Sequence, residues 1–351
     1  MSPRPTLEFA LPLTVLALLA CGETTTPTQP DMGGDPAALS LAAATNSWTP
    51  RAPTPFSEEF YGYDLGMAPN AAGQSIVYTF GGTDGEGGTG FSVQAYNVTT
   101  DTWTGKLSRV GVFHSNGVGK IGGKLYFSGG YNEVETPPSF SNLVWAYDYS
   151  RDRMIRKADL PIFSAEGVTG VINGKLYVLP GACSGERYPN AGYCAEEPTR
   201  RFYRYDPATN TWVSRRQAPH FHRQGAAAVI DGKLYVVGGH NNFTPVADLD
   251  VYDPGTNSWR SLAPIPTAGG AAGAALGGQF YVVVQQFSGA SFSYRFYAYN
   301  RFTNQWKEKA APSFDQGVGA FRGKGSVTKV TLDGRPRLFM ATGDQSALYT
   351  P

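Results

Sequence analysis

The chain has 351 residues, 41% of them hydrophobic and 16% charged, with a net charge of +1 at neutral pH. That charge content is low (about 25% is usual), and its balance offers neither a basic field for nucleic acid nor a polybasic patch for an anionic membrane. Gly at 43, with Tyr and Phe at 20 each, favours many short strands and tight turns over helices.

The first element in chain order is a targeting segment. Arg4 precedes an apolar run from Phe9 to Ala20, interrupted by Pro12. The run is too short to span a bilayer and suits the apolar region of a signal peptide. It ends in Leu18-Leu19-Ala20-Cys21-Gly22, which resembles a bacterial lipobox. The resemblance implies cleavage before Cys21 and lipidation of that cysteine; an ordinary signal peptide with a chance Cys is the alternative. Gly22 in place of Asp gives no signal for inner-membrane retention, so the expected location is the outer membrane or cell surface. Residues 1–20 are read as a lipoprotein signal peptide. Residues 21–44, rich in Thr, Pro, Gly and Ala, are read as a flexible tether, and residues 45–351 as the folded domain.

Within that domain one phrase returns at a period of about fifty residues, the spacing of a repeat architecture. Two short β-rich runs are joined by an Asn-Gly or Asp-Gly turn, as in VINGKLYVL and VIDGKLYVV. The second run ends near Gly81-Gly82, Gly129-Gly130, Pro180-Gly181, Gly238-Gly239, Val284-Gln285 and Thr342-Gly343. A Tyr-Asp-like pair follows, at Tyr96-Asn97, Tyr147-Asp148, Tyr205-Asp206, Tyr252-Asp253 and Tyr299-Asn300. A Trp comes six or seven residues later, at Trp103, Trp212, Trp259 and Trp306, with Met154 in that place in the second unit. DPATN and DPGTN read as Pro-started turns between the third and fourth strands. The aromatics are expected to pack between neighbouring sheets.

These residues resemble the kelch family over residues 46–351. The resemblance implies an all-β, six-bladed kelch-type β-propeller, with four strands a to d in each blade. The fifth and sixth units have lost Gly-Gly and the second has lost its Trp. Thr45-Asn46-Ser47-Trp48 matches the end of a unit that has no beginning, so the N-terminal strand is expected to close the last blade and cover its open edge. There is no room for a seventh unit.

Strand alternation places the d-to-a and b-to-c connections on one face of such a ring, and the short a-to-b and c-to-d turns on the other. Long, varied loops are where binding usually resides. The d-to-a segments repeat a Phe, then polar residues, then Gly; the fifth breaks this with Thr267-Ala-Gly-Gly270, leaving an expected open side. The polar residues expected to converge on the channel mouth are Glu58, Glu59, His114, Asn116, Glu166, His222, Arg223, Gln224, Asp315 and Gln316. The b-to-c loops add Tyr131, Asn132, Arg187, Tyr188, Tyr193, His240, Asn241, Asn242, Phe243, Phe287, Phe292 and Tyr294. Aromatic faces beside amides, Arg and carboxylates suit a sugar; a capped channel holding only water is the alternative.

All four histidines, His114, His220, His222 and His240, fall on this face. No carboxylate is close to His220 and His222 in sequence, so they are expected to line a pocket rather than hold a metal. No cofactor is expected. Cys183 and Cys194 form a close pair, and an exported chain is expected to join them in a disulfide, with two free thiols as the alternative.

The functional expectation is an envelope-anchored binding module, monomeric, that recognises a glycan or a protein through its loop face and meets the membrane only through its lipid. The alternative is a sugar-processing enzyme. Six-bladed kelch propellers include the sialic-acid mutarotases (N-acetylneuraminate epimerases), to which the chain is similar in blade count, size and export. In that case Glu166, His222 and Arg223, chosen by position, would supply acid, base and cation. Copper-radical oxidation of the galactose oxidase type is not expected, because no spare thiol is left for a Tyr–Cys crosslink.

Overall fold

The alternating apolar runs become strands, and the Asn-Gly and Asp-Gly pairs at 173–174, 231–232 and 333–334 become turns that reverse them. A computed structural model describes residues 45–55, 63–81, 91–110, 114–132, 139–182, 199–288, 291–314 and 325–351. Asn173-Gly174, Asp231-Gly232 and Asp333-Gly334 all have φ between 49° and 72°, the two-residue hairpin geometry that these residue pairs favour.

Strand β1 (Ser47–Arg51) comes first in the described chain. Blade I is β2 (Asp64–Pro69), β3 (Ser75–Phe80), β4 (Phe91–Asn97) and β5 (Thr102–Val110). Blade II is β6 (Val118–Ile121), β7 (Lys124–Ser128), β10 (Val144–Asp148) and β11 (Arg153–Lys157), with a small hairpin of β8 (Tyr131–Asn132) and β9 (Ser139–Phe140) between its second and third strands. Blade III is β12 (Val168–Ile172), β13 (Lys175–Leu179), β14 (Phe202–Asp206) and β15 (Thr211–Arg215). Blade IV is β16 (Ala226–Ile230), β17 (Lys233–Val237), β20 (Leu249–Asp253) and β21 (Ser258–Leu262), with the hairpin β18 (His240–Asn241) and β19 (Thr244–Pro245). Blade V is β22 (Ala271–Leu276), β23 (Gln279–Ser288), β24 (Ser291–Asn300) and β25 (Gln305–Lys309). Blade VI is β26 (Ser326–Leu332), β27 (Arg335–Thr342) and β28 (Gln345–Thr350), completed by β1.

All six sheets are antiparallel and four-stranded. The inner strands β2, β6, β12, β16, β22 and β26 lie against one another in a closed ring. These blades belong to one compact unit of the chain, Ala43–Pro351. The closure expected from Thr45–Trp48 is present: Ser47 pairs with Thr350, Trp48 with Tyr349 and Arg51 with Ser346. Met154 stands opposite Tyr147 as the Trp does in the other blades.

The core is divided among the seams. Six apolar clusters of described residues each join two neighbouring blades. The tyrosines Tyr96, Tyr147, Tyr205, Tyr252, Tyr299 and Tyr349 are all fully buried there. Near the axis the blades come so close that a Cβ on Gly119 would lie 2.5 Å from Leu176 Cδ1 of the next blade.

A polar latch repeats at every seam. Each of those tyrosines donates its hydroxyl hydrogen to an Asx side chain, at 2.6–3.0 Å: Asp101, Asp152, Asn210, Asn257, Asn304 and, in the composite blade, Asn46. The same Asx groups accept the backbone N–H of Ala52, Leu107, Ala158, Arg216, Ala263 and Ala310 in the preceding blade, at 2.7–3.2 Å. The indoles of Trp103, Trp212, Trp259, Trp306 and Trp48 donate to the carbonyls of Ala52, Ala158, Arg216, Ala263 and Ala310. In five of the six seams the residue just past the outer strand is therefore held on both its N–H and its C=O. Where Met154 has no N–H to offer, Ser108 Oγ donates to the carbonyl of Asp152 instead. All six Asx residues have φ between 47° and 56°, a conformation that Asn and Asp tolerate better than other non-glycine residues.

Burial pushes the hydroxyls of Tyr205, Tyr299 and Tyr349 up to about 12, so the donors stay protonated. Asp101 behaves oppositely. Burial raises its pKa, but hydrogen bonds from Tyr96 and the Ala52 N–H, with the charge of Arg51, outweigh that and hold it below the ordinary carboxylate value.

Two outcomes follow from the latch. Asn257→Ala removes an acceptor from two donors and places Ala at positive φ, so it should cost about 2–4 kcal/mol in urea unfolding, whereas Asn257→Asp should cost much less. Equal midpoints for Asn257→Ala and the parent would contradict the latch. Because the folded pKa of Asp101 lies below its unfolded value of about 3.9, its contribution is complete above that value and is lost as pH falls through the folded one. Asp101→Asn keeps the acceptor oxygen, so its melting temperature should fall less than the parent's between about pH 5 and pH 2; parallel curves would show that the Asp101 charge does not matter.

Candidate binding face

The d-to-a segments are laid side by side by backbone bonds. Glu166 N–H donates to the His114 carbonyl, Gln224 N–H to that of Glu166, and Ala271 N–H to that of Gln224, at 2.7–3.0 Å. His114, Glu166 and Gln224 all adopt positive φ, between 51° and 59°. This belt brings part of the expected polar ring together at the start of blades III and IV.

Glu166 is its centre, and it is buried. Its Oε2 accepts Arg223 Nε at 2.5 Å and its Oε1 accepts Gln224 Nε2 at 2.6 Å. His114 Nδ1 lies 3.8 Å away, with the ring edge-on to Tyr131. Burial pushes the Glu166 pKa up, but the charges of His114 and Arg223 and the two hydrogen bonds prevail and hold it below the ordinary carboxylate range. The group is a fixed anion in a closed pair, poorly suited to deliver a proton.

His222 is not a pocket-lining group. Its ring is sealed from solvent, with Nδ1 2.9 Å from the Gly238 carbonyl and Nε2 3.1 Å from Asp250 Oδ2. His220 Nδ1 approaches the same carboxylate at 3.0 Å, and Ser261 Oγ donates to it at 2.8 Å. Burial raises the Asp250 pKa, while His222, Ser261 and His220 more than reverse this. Sequence reasoning found no carboxylate beside these histidines because Asp250 arrives from β20, 28 residues beyond His222. Its signal was a charged residue inside the apolar strand LDVYD. Among the described residues, no cluster of three or more His, Cys, Asp or Glu is arranged to hold a metal.

Asn116 is fully buried and structural. Its amide donates to the Ser128 carbonyl and Ser164 Oγ and accepts the Gly167 N–H. The expected opening at blade V is filled by backbone: a Cβ on Gly269 would lie 2.5 Å from the Gln285 carbonyl oxygen. Phe292 and Tyr294 are buried against Phe314. Glu58, Glu59, Asp315, Gln316, Arg187, Tyr188, Tyr193, Cys21, Cys183 and Cys194 lie outside the described residues.

The b-to-c hairpins behave differently. His240 is half-buried at the base of the β18–β19 arm, where its N–H donates to the Arg223 carbonyl at 2.8 Å. Beyond it Asn241, Asn242 and Phe243 are exposed, and Phe243 is 84% exposed at the tip. In blade V the hairpin of β23 and β24 carries Phe287, half-exposed, near its end.

The family model of the kelch motif matches residues 223–266, which span blade IV. "Kelch repeat and BTB domain-containing protein 12" of Homo sapiens is 30% identical over 125 residues, 35% of this chain and 19% of that protein. "Kelch-like protein terF" of Aspergillus terreus is 29% identical over 150 residues, 42% of this chain and 32% of that protein. The chain thus spans a third or less of the length of these curated relatives. The solved structure of YjhT superposes with a TM-score of 0.62 at 17% identity, covering 85% of this chain and 94% of that one, a likeness of fold. With a kelch motif in blade IV, recurring Tyr and Trp and a closed ring of six four-stranded blades, the chain has the architecture of a six-bladed, kelch-type β-propeller.

Proposed function

We propose that the chain is an envelope-anchored binding module that grips a protein partner with its loop face. The observation that carries this reading is the β18–β19 arm. It holds Phe243 out into solvent between exposed Asn242 and Thr244, and its base is pinned by the His240 and Val246 N–H bonds to Arg223 and Gly239 carbonyls. A large aromatic already held in place loses little freedom on contact, and such residues dominate interface energetics. Phe287, half-exposed near the end of the blade V hairpin, adds a second aromatic to the b-to-c loops. Anchoring is supported by the sequence around Cys21.

The mutarotase-like alternative has less support. Its acid–base candidates, Glu166 and His222, are buried and fully engaged by neighbouring groups, and Arg223 is the partner of Glu166. A glycan would stack on the same exposed aromatics, so the test includes one arm for each ligand class. Phe243→Ser should weaken capture of an envelope protein by at least about tenfold, which is about 1.4 kcal/mol, with no change in melting temperature. The checks are co-purification followed by titration with the captured protein, and a glycan array run in parallel. Undiminished protein binding would place the contact elsewhere, and an array signal lost in the variant would replace the protein by a sugar.

A further inference from the structure

We propose that the outer edge of blade V is a docking edge for an extended acidic peptide, which adds to β25 as a fifth strand. The rim lies apart from the loop face, and docking there does not rest on the reading above. The six outer strands β1, β5, β11, β15, β21 and β25 carry ten Lys and Arg against one acid, Glu308. The whole chain is nearly balanced, with 29 Lys and Arg and 28 Asp and Glu. Each outer strand is the last in its sheet, so its outward backbone groups form a template for another strand. Cations on such edges keep copies of the chain from pairing with one another. The same sign leaves the edges open to an acidic strand, whose charges are complementary.

Lys307 and Lys309 stand two residues apart on β25 and so share one face of the strand. Among the described outer strands, β25 alone has cations at successive positions of one face. Lys307 is exposed and Lys309 half-buried, and neither has an ion pair among the described residues. Glu308 projects from the other face and is paired with Arg295 at 3.2 Å. The edge is fixed at both ends. Asn304 in the turn before it accepts the Tyr299 hydroxyl and the Ala263 N–H. Ala310 after it is held on its N–H by Asn46 and on its C=O by Trp48. A strand laid along a fixed edge loses its own freedom without ordering the protein as well. Acidic side chains at alternate positions of that strand come opposite Lys307 and Lys309, at the roughly 5 Å Cβ spacing of cross-strand pairs. Other edges are poorer templates: β1 carries Pro50, and the Leu107 N–H of β5 is taken by Asp152.

The probe is a short dye-labelled peptide of alternating Glu and Val, titrated against the full chain at low ionic strength. Binding should slow hydrogen exchange across residues 305–309. It should weaken at least about tenfold in Lys307→Glu/Lys309→Glu, with the melting temperature unchanged. A fully N-methylated copy of the peptide keeps every carboxylate but has no N–H to pair, and should bind at least about tenfold more weakly to the parent chain. A peptide of alternating Lys and Val should not bind. Phe243→Ser should leave the affinity as it is, so failure at the loop face and failure at this edge are read separately. Equal affinity for the N-methylated copy, or binding without protection of residues 305–309, would overturn strand addition at β25. Heparin binding tighter than the peptide, and lost in the same double variant, would replace the peptide by an acidic polysaccharide and overturn the proposal in that way.

Discussion

The grip of each blade on the peptide just past its neighbour's outer strand is the constraint on which the rest of this structure depends. Four-stranded sheets do not of themselves close into a ring; each could splay from the next while keeping its own ladder. Here an Asx oxygen takes the N–H and, in five of the six seams, an indole takes the C=O of one peptide position. Both ends of that segment are thereby satisfied inside the protein, and an unpaired alternative would leave buried polar groups without partners. The buried Tyr that orients the Asx also fills the seam's apolar cluster, so packing and polarity fix the same angle between blades. Closure is not a separate device. Asn46 and Trp48 make the sixth seam with the same bonds as four of the other five.

A ring fixed at its rim leaves the upper connections free to diverge, and they have diverged in two ways. The d-to-a segments are drawn inward and tied down by the belt through His114, Glu166 and Gln224 and by the Asp250 cluster below it. The Arg223 guanidinium lies against Glu166, and His220 and His222 flank Asp250 within hydrogen-bond distance. A buried pair of this kind is weak as a source of net stability, yet breaking it by removing one partner strands the other charge. Its role in this molecule is to fix the backbone from which the b-to-c arms rise. The blade IV arm carries Phe243, and its base is bonded through the His240 N–H to the Arg223 carbonyl beside the belt.

The ring was legible in the sequence because its signals are periodic. Tyr96, Tyr205, Tyr252 and Tyr299 with their Trp partners repeat often enough to be aligned by eye, and Trp48 could be placed from the same phrase. The latch was equally periodic but was read only as turn chemistry. Asn210, Asn257 and Asn304 close turns of the kind that Asx residues favour anyway, so their second task, across the seam, carries no local mark. The candidate site was legible as a set of residues and not as an arrangement. Glu166 and Arg223 were both found, yet only three dimensions show that each engages the other. His222 pointed to a pocket until Asp250 arrived from a distant strand. Asn116 looked like a ligand because a buried amide bridging three backbone and side-chain groups has the same sequence as an exposed one.

The central claim, that six equivalent latches hold the ring, is tested most directly by native-state hydrogen exchange at the backbone amides of Ala52, Leu107, Ala158, Arg216, Ala263 and Ala310. Five of these positions lie one residue past the ends of outer strands, where exchange would ordinarily be fast, and Leu107 lies within the second half of β5. The account predicts that all six exchange as slowly as the amides of the inner strands, and with the same dependence on denaturant. Exchange at these amides much faster than in the inner strands, with the strands still protected, would show that the seams open without unfolding and that the latches do not hold the ring.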